Sequence, residues 1–393
     1  MPHAMTPAAV VNQVEVQALS FPTPSPESDG TLTWDHTDVV TVEVRAGSQT
    51  GLGWSYTSPA AVELIRTVLA HEVLGEDASS PVRLWERMHR ACRNLGTRGV
   101  VMAAISAMDI ALWDLRSRGL RVSLADLWGA ERDSVPVYGS GGFTSMGLEE
   151  LDAQVDQWLA DGCAAVKLKI GENWGRDVTR DLERVARVVN RVQGDAEVMV
   201  DANGGYSRSQ AMQVGQDLDL LGVSWFEEPV SSEDLRGLGQ LRDALSSEVA
   251  AGEYIAEISD TRAMCEAVDC VQLDVTRCGG FTGWRRCAAY AHAAHVPVSA
   301  HCAPALHLPL AISDGAVRHI EWFSDHAALE PLLIEDAPVV RGGRLAHAQG
   351  PTIGHGYRLK DVSRFAVDAL PAHQSGMHAV TSLDTHRLRR RRT

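Results

Sequence analysis

The sequence predicts an α/β fold, a closed parallel barrel preceded by an α+β segment. Two observations carry this. Eight short β-rich runs begin near Val135, Ala164, Ala196, Val223, Glu248, Cys270, Val296 and His319, 22 to 32 residues apart, with helical stretches between them. Strand–helix alternation at that period builds a parallel sheet, and closure into a barrel is the solution for eight such strands, against an open doubly wound sheet. Titratable residues also stand at the ends of seven consecutive runs, where a barrel would gather them at one mouth.

Residues 1–134 form the α+β segment. Val14–Leu19 and Asp38–Val44 read as strands, the second with Val40, Val42 and Val44 alternating against Thr41 and Glu43. Pro22–Gly30, rich in Pro and Ser, reads as a loop, and Gly51–Tyr56 as another. Helices are expected over Ala60–Leu74 and Val101–Ser117. The latter carries Ile105, Met108, Leu112 and Leu115 at helical spacing, with Asp109 and Asp114 off that stripe. Within residues 135–335, helices are expected over Leu148–Leu159, Asp177–Val192, Ser207–Leu220 and Thr282–Ala294. Residues 336–393 are turn-rich and end in a basic run, Arg387 and Arg389–Arg392, read as a solvated tail rather than a nucleic-acid contact.

A chain of 393 residues with 45% hydrophobic residues buries a large core. Its net charge of −15 repels phosphate, which argues against nucleic acid as the main partner. No apolar run reaches membrane-spanning length, so no membrane partner is expected, and Met1–Met5 lacks the layout of a signal peptide. The seven cysteines (92, 163, 265, 270, 278, 287 and 302) are odd in number and form no C-x-x-C pair. That pattern fits reduced thiols in the cytoplasm better than disulfides or a structural zinc.

The strand ends carry the chemistry. Lys167 and Lys169, two apart on one strand face, interrupt an apolar run; the next five runs end at Asp201, Glu227, Glu253, Asp274 and His301, and the last reaches Glu321. The three acids Asp201, Glu227 and Glu253 are spaced 26 residues apart. Like charges converging at one mouth repel unless a cation joins them, and hard oxygen donors suit Mg²⁺. Adjacent lysines disfavour each other's charge, so one could act as a neutral base. His301 near Asp274 is the arrangement that fixes an imidazole tautomer.

Those pieces together resemble the mandelate racemase subgroup of the enolase superfamily, from about Val14 to Leu359. The matching segments are Ala107–Leu120 (AMDIALWDLRSRGL), Val166–Gly171 (VKLKIG), Val200–Tyr206 (VDANGGY), Trp225–Pro229 (WFEEP), Gly252-Glu253 and Gln272–Gly280 (QLDVTRCGG), with His301 and Glu321. The resemblance implies a modified TIM barrel of (β/α)7β type with an α+β capping domain, and one Mg²⁺ per subunit on Asp201, Glu227 and Glu253. It implies Lys169 as one acid/base, tuned by Lys167, which would also touch the substrate carboxylate. His301, paired with Asp274, would work on the opposite face. Glu321 would donate a hydrogen bond from a protonated carboxyl, Asn203 would contact substrate near the metal, and Glu228 would support the ligands. A Lys or His base beside Mg²⁺ is that superfamily's pattern. Muconate-cycloisomerase-like members carry a lysine where Asp274 stands, glucarate-dehydratase-like ones an Asn for Glu253, and galactonate-dehydratase-like ones a His for Asn203. The set here resembles mandelate racemase and several acid-sugar dehydratases.

The implied step is removal of the proton α to a carboxylate through an enediolate. Dehydration of a sugar acid to a 2-keto-3-deoxy acid is the preferred outcome, with racemisation of a 2-hydroxy acid second. Capping loops over 22–36 and 51–56 would choose the substrate, through Trp34, His36 and Tyr56 with Ser25, Ser28 and Asp29. The expected partner is a small carboxylate, and self-association into a homo-oligomer is expected. A metal-dependent hydrolase would carry H-x-H on the first barrel strand, where this chain has Tyr138-Gly139-Ser140. A barrel used only for binding should have lost part of the constellation, and none is missing.

Overall fold

The computed structural model describes residues 10–346, 354–367 and 378–381. The basic run at 387–392, the first five residues and the Gly350-Pro351 turn lie outside them. Eight parallel strands form the barrel: β4 (Ser134–Gly141), β5 (Ala165–Lys169), β6 (Glu197–Asp201), β7 (Trp225–Glu227), β8 (Glu248–Ala251), β9 (Cys270–Leu273), β10 (Val298–Ala300) and β11 (Val317–Phe323). Pairing of β11 with β4, from Ile320 opposite Val137 to Phe323 opposite Ser140, closes the ring. A helix follows every strand, including Ser324–Leu333 after β11. Val166, Val198, Val249, Val271 and Val298 face outward onto these helices, while Tyr138, Ala165, Met199, Trp225, Ala250 and Cys270 fill the barrel interior.

Before the barrel stands an antiparallel sheet of β1 (Val11–Ser28), β2 (Thr33–Ala46) and β3 (Gln49–Tyr56), with shorter strands of the C-terminal segment, β13 (Ala366–Val367) and β14 (His378–Thr381), added to β1. The intervening β12 (Arg344–Ala346) pairs antiparallel with β4. Of the two stretches read as loops from sequence, Gly51–Tyr56 is strand throughout and Pro22–Gly30 is strand as far as Ser28, with Asp29 and Gly30 in the turn. Pro22–Gly30 extends β1 into a long hairpin, with a register shift between Pro22 and Glu27 that accommodates the prolines. Gly51–Tyr56 lies inside β3, and its glycines serve close packing. A Cβ on Gly51 or Gly53 would stand 2.2 Å from the backbone oxygen of Ala111 or Ala107. Both oxygens belong to one helix, Val100–Leu120.

That helix is buried on nearly every side, so Asp109 and Asp114, which lie off its apolar stripe, are buried as well. Asp109 accepts hydrogen bonds from Thr282 N (2.8 Å) and Thr282 Oγ1 (2.7 Å) of the barrel helix Gly280–Ala293. Asp114 accepts from Leu52 N (2.9 Å), Arg118 Nε (2.7 Å) and His355 N (3.0 Å). Buried acids satisfied this way stitch the antiparallel sheet, the barrel and the C-terminal segment to one another. The helix expected over Ala60–Leu74 contains a π-helical stretch, Ile65–Leu69.

Candidate active site at the barrel mouth

Strand register sets the site. Lys169 lies opposite Asp201, and Asp201 opposite Glu227, so these three form one row across β5, β6 and β7. Ser140 lies opposite Lys167, and Tyr138 opposite Glu321, on the other side of β5. Side chains alternate along a strand, so Lys167 and Lys169 both enter the barrel at successive depths. Glu253 follows β8 after Gly252, Asp274 follows β9 and His301 follows β10. All eight titratable groups read from sequence are buried, and the barrel brings them together.

The three acids read as metal ligands lie close together. Asp201, Glu227 and Glu253 each offer a carboxylate oxygen within 4.8 Å of the others. Glu253 Oε2, Asn203 Oδ1 and Glu228 Oε1 are buried there without hydrogen-bond partners. Three hard donors converging with unpaired oxygens suit a divalent cation such as Mg²⁺. Burial and the neighbouring Asp201 push the Glu227 carboxyl up to about 8, against the pull of Lys167. Burial and Glu253 raise Glu228 well above the carboxylate range. A second donor group, His301, Cys302 and Glu321, is less suited: His301 is committed at Nδ1 to Asp274, and Glu321 is ion-paired.

The lysines differ from the expectation that one of the pair stands neutral. Lys167 Nζ lies 2.5 Å from Glu227 Oε1 and 2.8 Å from Glu321 Oε1, while Lys169 Nζ donates to Asp201. Burial works against both charges, but Glu227 and Glu321 for Lys167, and Asp201 for Lys169, outweigh it and hold both ammonium groups charged. Glu321 also departs from the expected protonated donor. Burial raises it, yet Lys167 and His301 outweigh burial and keep it ionised. It accepts from Ser140 Oγ (2.6 Å) and Cys302 N (2.9 Å).

Across the mouth, His301 Nδ1 donates to Asp274 Oδ2 at 2.9 Å. Asp274 Oδ1 is occupied by Thr276 N and Thr276 Oγ1, both at 2.7 Å. Burial lowers the imidazole's basicity, but Cys302, Glu253 and Asp274 raise it further, so the ring holds its proton well above the usual histidine range. Its Nε2 lies 3.2 Å from Glu253 Oε2 without hydrogen-bond alignment.

The residues read as specificity groups divide. Trp34 packs edge-on against Phe143 at 5.6 Å between ring centroids and donates to Glu27 Oε2 at 3.0 Å. Phe143 clusters with Cys302 and Phe323, and Lys169 Nζ stands 5.7 Å from the Phe323 ring, so Trp34 borders the lysine side of the site. Tyr56 stacks on His326 (3.6 Å between centroids), bonds Glu330 Oε1 at 3.3 Å, and lines a cavity of about 770 Å³. That cavity flanks the trio beside Gly252 and Arg277 and does not cover it. Asn203 sits at the mouth with a left-handed backbone (φ 45°). His36 is exposed and paired with Asp35. Ser28 bonds Thr33 at 2.8 Å, and Asp29 Oδ1 closes its own turn onto Thr31 and Leu32.

Sequence reading missed two features. Arg277 touches both Glu253 and Asp274, and its only signal was its place three residues after a strand-end acid. Glu228, Cys302 and Ala303, like Asn203, hold positive φ at the strand ends, strain typical of functional sites and invisible in residue identity.

Fold and site together define a barrel enzyme with a carboxylate trio between a lysine pair and a histidine–aspartate pair. Two family models match the chain: the mandelate racemase/muconate lactonizing enzyme N-terminal domain over residues 13–129 and the enolase C-terminal domain-like model over 150–362. The chain belongs to the mandelate racemase/muconate lactonizing enzyme family of the enolase superfamily. Among its relatives is L-talarate/galactarate dehydratase of Salmonella typhimurium, 30% identical over 78% of this chain and 77% of that protein. The structure of a mandelate racemase/muconate lactonizing enzyme-like protein from Rubrobacter xylanophilus is 41% identical and covers 91% of this chain and 100% of that one, with a TM-score of 0.88. L-talarate dehydratase from Polaromonas, complexed with Mg and L-glucarate, is 26% identical over 95% of this chain and 100% of that one, with a TM-score of 0.84. The relatives' names span dehydratases, cycloisomerases and an epimerase, and Mg²⁺ is bound in several of the solved neighbours.

Proposed function

We propose that this enzyme removes the proton α to the carboxylate of a small hydroxylated acid and dehydrates a sugar acid to its 2-keto-3-deoxy product. The observation that carries the reading is the placement of two proton carriers, Lys169 on β5 and His301 after β10, on either side of the buried carboxylate trio. Asp201, Glu227 and Glu253 would hold Mg²⁺, with Asn203 and Glu228 beside them. Bound there, the cation would polarise the substrate carboxylate as a Lewis acid.

The chain's own groups supply the rest. Lys169 shares its ammonium with Asp201, so any group that draws on Asp201 returns the lysine to the repulsion of Lys167 and eases loss of its proton. Lys167 then places a fixed positive charge where the carboxylate gains electron density. One carrier takes the α-proton, the C–H electron pair passes toward the carboxylate, the β-hydroxyl leaves, and the other carrier protonates it to water. The enol tautomerises to the 2-keto acid. His301 suits the second role because Asp274 fixes its tautomer and stabilises its charged form.

The dehydratases among the relatives, and L-glucarate in a neighbour's structure, favour a sugar acid. Racemisation is the second reading, since the same two carriers on opposite faces can return the proton where they did not take it. No helix among the described residues is long and apolar enough to cross a membrane. The seven thiols are free and buried, which supports a cytoplasmic setting. A panel of acid sugars and 2-hydroxy acids, incubated with enzyme and Mg²⁺, tests the assignment. 2-Keto acid formation with at least one acid sugar is expected, and polarimetry on the same samples detects racemisation. Absence of product, of optical change and of α-proton exchange in D₂O across the panel would overturn it and favour a binding protein.

A further inference from the structure

Arg277 closes a circuit between the two halves of the site. Its Nη1 lies 2.9 Å from Glu253 Oε1, and its Nε lies 3.4 Å from Asp274 Oδ2. That Asp274 oxygen is the one bonded to His301 Nδ1, and His301 Nε2 returns to Glu253 Oε2 at 3.2 Å. One guanidinium, one imidazole and two carboxylates therefore form a ring in which every member touches the next. Within it Arg277 takes a single oxygen of Glu253, and Oε2 stays buried without a hydrogen bond. Its remaining contacts are Glu253 O at 3.4 Å and the face of Tyr254 at 4.9 Å, and it forms part of the wall of the flanking cavity.

We infer that Arg277 is a positioning residue that couples the cation arm of the site to its imidazole arm: by spanning Glu253 and Asp274 it presents one Glu253 oxygen to the cation and holds Asp274 on the His301 Nδ1–H. The inference rests on the assignment of Asp201, Glu227 and Glu253 as cation ligands. A planar guanidinium with several donors can bridge two acids, whereas a lysine ammonium restores charge at one point only. The coupling is thus a matter of span as well as charge, and Arg277→Lys separates the two.

The test uses the full chain and Mg²⁺ alone as the probe. Calorimetric titration gives Mg²⁺ affinity for the wild type, Arg277→Gln, Arg277→Lys and Asp201→Asn. Proton–nitrogen NMR of labelled histidines, with His301→Asn for assignment, reads the His301 Nδ1–H bond to Asp274. Arg277→Gln is expected to weaken Mg²⁺ binding about 10–100-fold, the scale for groups that orient metal ligands, and to lose the downfield His301 Nδ1 proton that the bond to Asp274 gives. Arg277→Lys is expected to recover only part of each. Arg277→Gln binding Mg²⁺ within about twofold of wild type, a change in one readout without the other, or complete rescue by lysine would each overturn the inference. If Arg277→Gln does not fold, the comparison of Arg277→Lys with wild type decides alone: unchanged affinity and an unchanged His301 Nδ1 proton overturn the inference. Should Asp201→Asn keep wild-type affinity, the ligand assignment falls and this inference with it. If Asp201→Asn loses binding and the Arg277 variants do not, only the coupling falls.

Discussion

At the barrel mouth Lys167, Asp201, Glu227 and Glu321 are each at most 1% exposed and are held side by side by strand register. On the hairpin formed by β1 and β2 the His36 and Asp35 side chains are 53% and 78% exposed and satisfy each other. The hairpin's hold on the barrel is brief. Thr144 N donates to Ser28 O (2.8 Å), Trp174 N to Gly30 O (2.9 Å), and Thr37 Oγ1 to Asp325 Oδ2 (2.6 Å). Groups that must keep sub-ångström relations stand on a hydrogen-bonded ladder. The element that meets a varying ligand is an arm fastened at a few points.

Substitutions should respect that division. Lys169→Ala and His301→Asn break the mouth itself. Each should lower turnover by about 10²–10⁴-fold, the range for a lost acid/base, and one of the two should still exchange the substrate α-proton in D₂O. Normal turnover in both would erase the contrast. Gly30→Ala attacks the arm's fastening, because its Cβ would stand 2.6 Å from Ile170 O and 2.9 Å from Ala202 O. It should raise KM about tenfold through lost binding, worth ~1.4 kcal/mol, while Mg²⁺ affinity by calorimetry stays unchanged.

Glu27→Gln probes the arm by pH. Burial, then Asp325, push the Glu27 carboxyl up to about 8 from an ordinary 4.5, against the bond from Trp34. Below 4.5 the folded and unfolded chains both hold that proton. Between 4.5 and about 8 only the folded chain does, so this group's contribution falls as pH rises through that window. Glu27→Gln should therefore flatten the melting-temperature profile there, with a gain of ~2–4 °C at pH 8 relative to pH 5; parallel profiles would refute it. His36→Ala should do least, within about 0.5 kcal/mol of wild-type stability and with kcat/KM nearly unchanged. A large loss would move His36 from the solvent side of the hairpin into the specificity machinery.

The same contrast explains what could be read from the chain. Barrel strands were legible because each pairs an apolar run with a polar stop, and the polar stops repeat. The site followed, since Asp201, Glu227, Glu253, Asp274 and His301 are strand-end residues whose convergence is a property of the ring. Residue charge was legible and charge state was not. The ionised Glu321 and the held ammonium of Lys169 depend on distances to Lys167 and Asp201. The hairpin misled because proline and serine in Pro22–Gly30 signal a turn, and the bulge that lets them stay in a strand is a tertiary matter. Gly51 and Gly53 misled in the opposite sense: local rules read flexibility where the fold needed a missing side chain.

The helix Val100–Leu120 fills that missing space, and through Asp109 and Trp113 it also bonds Thr282 on the barrel's own helix. It serves as a wall of two cores at once. Heat should therefore find no weak seam between the antiparallel sheet and the barrel, and calorimetry should show a single melting transition. A chain cut at residue 134 would leave each fragment with an uncovered apolar face, so neither half is expected to persist alone. Whatever opens to admit a ligand must be smaller than a domain.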